Sequence, residues 1–221
     1  MENNETNKMQ EIIVQDNGKT ERPNETSGIS IQGHIKIFDP TTKEVFIDKK
    51  NAIHYENLSY ALANSVSNNG KFIAEMCFGN GGSRVDPTGI ITYLTPNTLG
   101  RSSTLYSQTY VKSVDGNNVL NKDPSRNFME VRHVNGTYWS DVLVTCLLDY
   151  GEPSGQYAFD NSTNQDSNYV FDELGLRSFN PDGTGTGSLL THVIFHPVQK
   201  SLNRLIQIDY TVRIQSLTNG T

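Results

Sequence analysis

The 221-residue sequence has little cysteine, the residue that cross-links secreted proteins and holds most structural zinc ions. Its two cysteines, Cys77 and Cys146, are far apart and belong to no Cys-x-x-Cys or Cys/His spacing. A zinc site is therefore not expected, because its ligands would need such a spacing. Each cysteine lies in an apolar run typical of a strand, so we expect two buried free thiols. A disulfide remains an alternative if the two strands are neighbours.

Long apolar runs and a basic excess are also missing. No apolar run approaches the length of a membrane-spanning helix, and the N-terminus lacks the basic and apolar regions of a signal peptide. We therefore expect a protein that stays in the cytoplasm where it is made, or leaves it by a route other than secretion. The formal net charge is −6. No basic stripe offsets that charge, which argues against direct, sequence-specific binding of nucleic acid.

Two patterns that invite a phosphate or metal site are incomplete. The glycine-rich residues 79–82 follow a predicted strand, but the Lys-Ser/Thr pair of a phosphate loop and a following helix are missing. We interpret these residues as a sharp turn that needs positive φ. His192 and His196 are four residues apart, and on a strand this spacing separates them by about 13 Å, too far to share one metal ion.

Two acidic patterns are equally incomplete. Residues 160–172 carry oxygen ligands at alternate positions, but Gln165 and Phe171 stand where a calcium loop has glycine and glutamate. Asp172 and Glu173 are adjacent and would point to opposite faces of an extended strand. The sequence therefore assigns no catalytic, cofactor-binding or metal-ligating residue. It predicts no cofactor and indicates a protein that is not an enzyme.

The clearest positive signal is the apolar alternation of residues 204–215. Ile206, Ile208, Tyr210, Val212 and Ile214 share one face, which predicts a half-buried strand. Residues 189–196 alternate in the same way and stop before a proline. We therefore expect the two segments to pair as a hairpin through residues 197–203 and to form the centre of the domain.

The other predicted elements are mostly strands. Residues 33–50 form a hairpin around the turn 39–42, residues 72–78 form a strand, and residues 139–149 form a central strand covered on both faces. Residues 170–176 indicate a short strand or turn. The one predicted helix covers residues 55–68, because Leu58, Leu62 and Val66 are four apart and Asn69-Gly70 follows.

These elements predict a mainly β protein, an antiparallel β-sandwich or barrel-like domain with one short helix and a flexible N-terminal arm. The arm covers residues 1–30, the single domain residues 31–217 and a tail residues 218–221. The arm is polar, with Glu11-Ile12-Ile13-Val14 as its only strand-forming stretch. Two interpretations stay open: a plain tail, or an arm ordered on a neighbouring subunit to which residues 11–14 add a short strand.

Two blocks of the chain resemble virion structural proteins of tailed bacteriophages, the β-rich accessory, neck and tail components. The element Phe171-Asp172-Glu173-Leu174-Gly175-Leu176, placed before a predicted terminal β-hairpin, is similar to one in phage tail and collar proteins. The resemblance covers residues 33–82 and 170–215 and carries over no catalytic motif. The matching stretches are residues 33–39, 48–54, 78–82, 171–176 and 190–195.

The resemblance implies a non-enzymatic structural subunit of the virion, at the neck, the head–tail connector or a tail ring. Such a subunit forms homo-oligomers through repeated contacts and binds other virion proteins: portal, neck, tail or capsid subunits. It is located in the virion, which is assembled in the host bacterial cytoplasm, and it has no membrane partner. The alternative is a glycan-binding β-sandwich module of a tail fibre or capsid decoration protein, with Tyr138 and Trp139 as stacking platforms.

Overall fold

The computed structural model describes residues 28–70, 72–154 and 169–217. Within these ranges the chain forms eleven strands and one helix. Their bounds are β1 Gly28–Phe38, β2 Val45–Ile53, α1 Tyr55–Val66, β3 Ile73–Gly79, β4 Ser83–Val85, β5 Ile91–Tyr93, β6 Gln108–Ser113, β7 Phe128–His133, β8 Trp139–Leu148, β9 Tyr169–Ser178, β10 Thr191–Lys200 and β11 Ile206–Leu217.

Nine of the described strands form one antiparallel sheet in the order β6-β3-β9-β10-β2-β1-β11-β8-β7, and β4 and β5 pair as a separate hairpin. The sheet curls into a half-barrel. The curl brings β6 back toward β8: the Lys112 Nζ on β6 donates a 2.6 Å hydrogen bond to the Leu147 carbonyl on β8. The predicted fold class is confirmed: a mainly β, barrel-like domain with one short helix.

The alternation predicted for the last strand is confirmed, but its predicted partner is wrong. Residues 206, 208, 210 and 212 of β11 are buried. Strand β11 pairs with β1 on one side, over the whole length of β1, and with β8 on the other side. Strand β10 pairs instead with β9 and with the end of β2. The predicted hairpin does not form, because β1 is an eleven-residue strand whose register matches β11 from Gly28 to Phe38.

The predicted stop before Pro197 is also wrong. Strand β10 continues to Lys200, and its pairing with β9 is interrupted between Ile194 and Val198. Proline lacks the N–H that a ladder needs, so an irregular stretch of this kind is where a strand tolerates it. Strand β9 is longer than predicted, because residues 169–178 form a ten-residue strand in place of a short strand or turn.

Local signals are confirmed at the N-terminal side of the domain. The turn between β1 and β2 forms as predicted, with Asp39 Oδ1 accepting from the amides of Thr41 at 2.8 Å and Thr42 at 3.1 Å. Helix α1 begins at Tyr55 as predicted and ends at Val66, two residues before the predicted end. Strand β1 includes residues 28–30, which were assigned to the arm; residues 1–27 and 218–221 lie outside the described residues.

The core fills the concave side of the half-barrel, and α1 packs at one end of it. Leu58 and Ala61 of the helix contact Ile53 and Leu190 in a smaller cluster. Cys77 and Cys146 are both buried and free, as expected. The main core consists of Ile35, Ile37, Met76, Phe78, Val114, Val144, Cys146, Leu148, Tyr169, Phe171, Leu174, Leu176, Val193, Phe195, Val198, Ile206, Ile208, Tyr210 and Val212.

Candidate functional site

Strand β9 places two carboxylates in the interior of the protein. Asp172 is 3% exposed and Glu173 is 0% exposed. Adjacent residues of a strand point to opposite faces, yet both carboxylates reach the same glycine-rich turn: Glu173 accepts from the Gly81 amide and Asp172 from the Gly82 amide. A buried carboxylate is costly unless hydrogen bonds compensate for lost hydration, so the partners of this pair decide what it can do.

All acceptor positions of Glu173 are filled. Its Oε1 accepts from the amides of Ser107 at 2.7 Å and Gly81 at 3.1 Å. Its Oε2 accepts from the Tyr106 amide at 2.9 Å and pairs with His192 Nε2 at 3.0 Å. A carboxylate has roughly four acceptor positions, and these four donors occupy them. Glu173 therefore has no free lone pair with which to take a proton from a substrate.

The histidine in this cluster is held in one tautomer by its neighbours. Nδ1 of His192 accepts a 2.7 Å hydrogen bond from the Asn97 amide, so we assign the ring proton to Nε2, which donates to Glu173. Burial raises the pKa of the Glu173 carboxyl. The hydrogen bonds from His192 and from the amides of Ser107, Tyr106 and Gly81 outweigh burial and hold the pKa below its ordinary value.

Asp172 holds the same glycine-rich turn. Its Oδ1 accepts from the Gly82 amide at 2.9 Å, and its Oδ2 accepts from the Ser83 amide at 2.7 Å and from the Ser83 hydroxyl. The glycines are needed here for space and not, as the sequence suggested, for positive φ. Positive φ is absent at residues 79–82; a Cβ at Gly81 would lie 2.8 Å from the Tyr106 Cβ, and one at Gly82 2.9 Å from the Ile194 Cγ2.

A second buried polar pair anchors residues 97–107, the 97–107 loop. His54 caps α1, with Nδ1 accepting from the Asn57 amide at 3.2 Å, and its Nε2 lies 3.0 Å from the Gly100 carbonyl. The Asn57 side chain donates to the carbonyls of Leu189 at 2.9 Å and Arg101 at 3.4 Å. The loop is thus fixed by His54 and Asn57 near its middle and by Glu173 and His192 near its two ends.

A cleft of about 560 Å³ between β6, β8 and residues 120–127 collects charged groups. Lys112 pairs with Glu152, and Arg126 binds Asp149 at 2.6 Å. These cations and anions balance each other in pairs. Lys200 is also buried. Burial lowers the pKa of its ammonium group to about 8, although the carboxylates of Glu152 and Asp149 act in the opposite direction. The cleft offers salt bridges rather than an uncompensated charge for a ligand.

An apolar cavity of about 380 Å³ opens between α1 and the concave side of β7, β8 and β11. We call this cavity the apolar mouth. Its wall includes Leu58 and Leu62 of α1, Phe72, Val131 of β7 and Ile214 of β11. Val131 and Phe72 both line the cavity, yet Val131 is 72% exposed and Phe72 is 39% exposed. The mouth is thus an apolar surface that the described residues leave open to solvent.

The histidines and acidic loop that drew attention in the sequence do not form a shared site. His192 is buried against Glu173, whereas His196 is exposed and contacts the Tyr93 hydroxyl at 3.1 Å. Of residues 160–172, positions 160–168 lie outside the described residues, and the carboxyl of Asp172 is engaged by Gly82 and Ser83. Among the residues that the structure describes, no group of three or more metal-binding side chains converges.

The aromatic pair proposed as a glycan platform is split. Tyr138 is 68% exposed, but the Arg213 guanidinium lies 4.0 Å from the centre of the Trp139 ring. Arg213 is itself held by both oxygens of Asp141 at 2.8 Å. One face of the indole is therefore already covered by a fixed cation, and Tyr138 is the part of the pair that remains accessible.

Sequence reasoning missed the network around Glu173. Its members come from β9, β10, the glycine-rich turn and the 97–107 loop, so sequence spacing does not connect them. The available signal was the pair Asp172-Glu173 inside an otherwise apolar run, because carboxylates in a buried strand require donors from elsewhere in the fold.

Comparison of the chain with protein families, with curated proteins and with solved structures found no match. In the described part of the chain, no helix combines the length and the apolar character that crossing a membrane requires.

Proposed function

We propose that this chain is a non-enzymatic structural subunit that works by contact with other proteins. The observation that carries the proposal is the use made of its buried ionisable groups. Glu173, Asp172 and His192 direct their polar atoms at backbone groups of the glycine-rich turn, of Ser83 and of the 97–107 loop, at the Ser83 hydroxyl, or at each other. A catalytic acid, base or nucleophile needs an atom that is free to meet the substrate.

Such anchoring serves a subunit whose partners recognise shape. Loops rich in glycine, serine and asparagine bury little apolar area, so packing alone would leave them mobile. Carboxylate and imidazole anchors hold these loops in one conformation before a partner arrives. Less conformational entropy is then lost on association, which strengthens binding without any additional contact.

The form of the proposal is a subunit of a tailed-bacteriophage virion, at the neck, the head–tail connector or a tail ring. Its support is the resemblance of residues 33–82 and 170–215 to phage virion proteins, together with the barrel-like fold. A subunit of this kind assembles through repeated identical interfaces with copies of itself and through contacts with portal, neck, tail or capsid subunits.

The test is the protein content of gradient-purified phage particles encoded by the same genome. Quantitative mass spectrometry should find this chain at a fixed ratio to the major capsid protein in successive preparations, while a replication protein of the same phage, the control, is washed away. Particles that lack the chain, or that contain it only at the level of the control, would refute the proposal.

A further inference from the structure

Strand β7, one of the two edge strands of the sheet, has an unpaired edge beside the apolar mouth. It pairs with β8 on one side, and no described strand pairs with its other side. Met129 and Val131 on β7 stand opposite Val144 and Val142 of β8, so they share the face that carries the core. A further strand at this edge would therefore place alternate side chains in the apolar mouth.

The wall of the mouth fits aliphatic side chains. The residues named above contribute hydrocarbon groups from both sides, with Leu58 and Leu62 facing Val131 and Ile214 across a volume of about 380 Å³. An open apolar patch next to a free strand edge invites non-specific pairing between molecules, and natural sheets usually cover or charge such an edge. On β7 the charged residues Glu130 and Arg132 flank Val131 and pair with each other, but no described strand covers the edge, and Val131 stays 72% exposed.

The sequence that precedes β1 contains one stretch with the matching pattern. Residues 1–27 are mainly polar, and Ile12, Ile13 and Val14 are the only consecutive β-branched residues among them. In an extended segment Ile12 and Val14 would share one face and Ile13 would point to the other. Glu11 to Val14 thus offers backbone groups for a strand edge and two aliphatic side chains for one cavity.

The length of the connecting chain suits binding within one molecule. Strand β1 begins at Gly28, opposite Leu217 of β11, and β11 and β8 separate it from β7. A strand added outside β7 would lie four strand spacings from β1, about 19 Å across the sheet. Val131 lies level with Gly33 through Val142 and Val212, which is about 16 Å along the strands from Gly28, so the direct distance is about 25 Å. A flexible chain of the length of residues 15–27 would have a root-mean-square span of about 20 Å. A linker whose span is comparable to the distance gives a high effective concentration.

We infer that Glu11-Ile12-Ile13-Val14 pairs with the free edge of β7 in the same chain and inserts Ile12 and Val14 into the apolar mouth. The segment adds a tenth strand and covers Val131. This inference does not rest on the phage assignment, because it follows from the edge, the cavity and the length of the preceding chain.

The first test is hydrogen–deuterium exchange of the full-length chain, measured on peptides that cover β7. The expected result is that Ile12→Asp and Val14→Asp each speed exchange in residues 128–133 several-fold. Ile13→Asp is the matched control with the same change of charge, and it should leave exchange near that of the wild type because this side chain points away. Equal exchange in all four proteins would overturn the inference.

The second test identifies the source of the strand. Val14→Cys combined with Val131→Cys should form a disulfide within one chain, at a rate independent of protein concentration, and Ile13→Cys with Val131→Cys should form it several-fold more slowly. Cross-links found only between chains, and increasing with concentration, would show that a second copy fills the mouth and would overturn binding within one chain. Absence of any cross-link would overturn it as well.

Discussion

Replacing Glu173 with glutamine tests whether the buried carboxylate holds the two loops together. The side chains have nearly the same shape, so the change removes the charge and one acceptor oxygen without creating a cavity. One amide oxygen can still accept from Gly81 and Ser107. The amide nitrogen would then face the Tyr106 N–H and His192 Nε2–H, which both donate in the wild type.

The expected loss follows from these two hydrogen bonds. Hydrogen bonds to a charged group contribute about 1.5–3 kcal/mol each, so their loss should cost Glu173→Gln about 3–6 kcal/mol of the free energy of unfolding. His192 could avoid the clash by moving its proton to Nδ1, but it would then lose the bond from the Asn97 amide. A domain is typically stable by about 5–15 kcal/mol, so the variant should be close to unfolding.

Urea denaturation followed by tryptophan fluorescence and circular dichroism measures this loss. For a urea dependence of about 1–3 kcal/mol per molar, the midpoint should fall by at least about 1 M. Glu44→Gln is the control, because Glu44 is exposed and pairs only with Arg204 at the surface, where an ion pair contributes about 0–1 kcal/mol. A Glu173→Gln midpoint indistinguishable from that of Glu44→Gln would refute the reasoning.

The same carboxylate predicts how the difference between wild type and Glu173→Gln depends on pH. The pKa of Glu173 in the folded protein is lower than its ordinary value, so the folded state favours the ionised form. Its contribution to stability is complete above the unfolded pKa of about 4.3 and is lost as pH falls through the folded pKa. The difference in free energy of unfolding between the two proteins should therefore be constant near neutral pH and should decrease in acid.

Two substitutions and one labelling experiment test the core and the close approach of strands. Gly175→Ala should lower the free energy of unfolding by about 1–3 kcal/mol, because the new Cβ would meet the Thr191 carbonyl and lie 2.7 Å from Leu189 Cδ1. Gly116→Ala is the neutral control, because the nearest neighbour of its Cβ would lie at 3.9 Å. Equal urea midpoints for the two variants would contradict this prediction. Ile208→Asp should abolish soluble folding, since an unpaired buried charge costs several kcal/mol. Ser216→Asp, on the exposed end of β11, is the control and should fold normally. A soluble Ile208→Asp variant with a cooperative melt would contradict the assigned core. Burial raises the pKa of Cys77 to about 11 and of Cys146 to about 12, so a thiol reagent at neutral pH should label neither until urea unfolds the chain; rapid labelling of the native protein would contradict their burial.

The sequence was sufficient for features that depend on local periodicity. Alternation identified the buried face of β11, the turn at Asp39 followed from its Asp-Pro-Thr-Thr composition, and the fourfold spacing around Leu58 located α1. Each of these features is determined by residues of a single strand, turn or helix, where the direction of a side chain follows directly from the period of the backbone.

Strand order was beyond the reach of that reasoning. Consecutive strands are neighbours in most sheets, so β10 and β11 were expected to pair. The actual partners of β11 are β8 and β1, and β1 lies more than 170 residues earlier in the chain, as the pairing of Ile35 with Tyr210 shows. Apolar alternation indicates which face of a strand is buried, but the two edges of every strand present the same backbone donors and acceptors, and only the complete sheet decides which edges meet.

Strand β9 was underestimated for a different physical reason. Asp172, Glu173 and Gly175 interrupt its apolar run and lower its strand propensity. Their compensation lies elsewhere: the carboxylates receive backbone amides from two loops, and Gly175 lets the strand approach the Thr191 carbonyl closely. Residues that oppose the local propensity for reasons of tertiary structure are where sequence patterns fail.

The buried charges and the modest apolar content have a common explanation. Only 35% of the residues are hydrophobic, and the 97–107 loop contributes little to the core beyond Leu105. A loop with so few apolar contacts would be free to move unless polar bonds fixed it. Glu173, His192, His54 and Asn57 supply these bonds and hold the loop in place. Under the proposed function, this polar network fixes a surface for partner subunits, and we expect loss of Glu173 to weaken assembly even under conditions where the β-sheet itself remains folded.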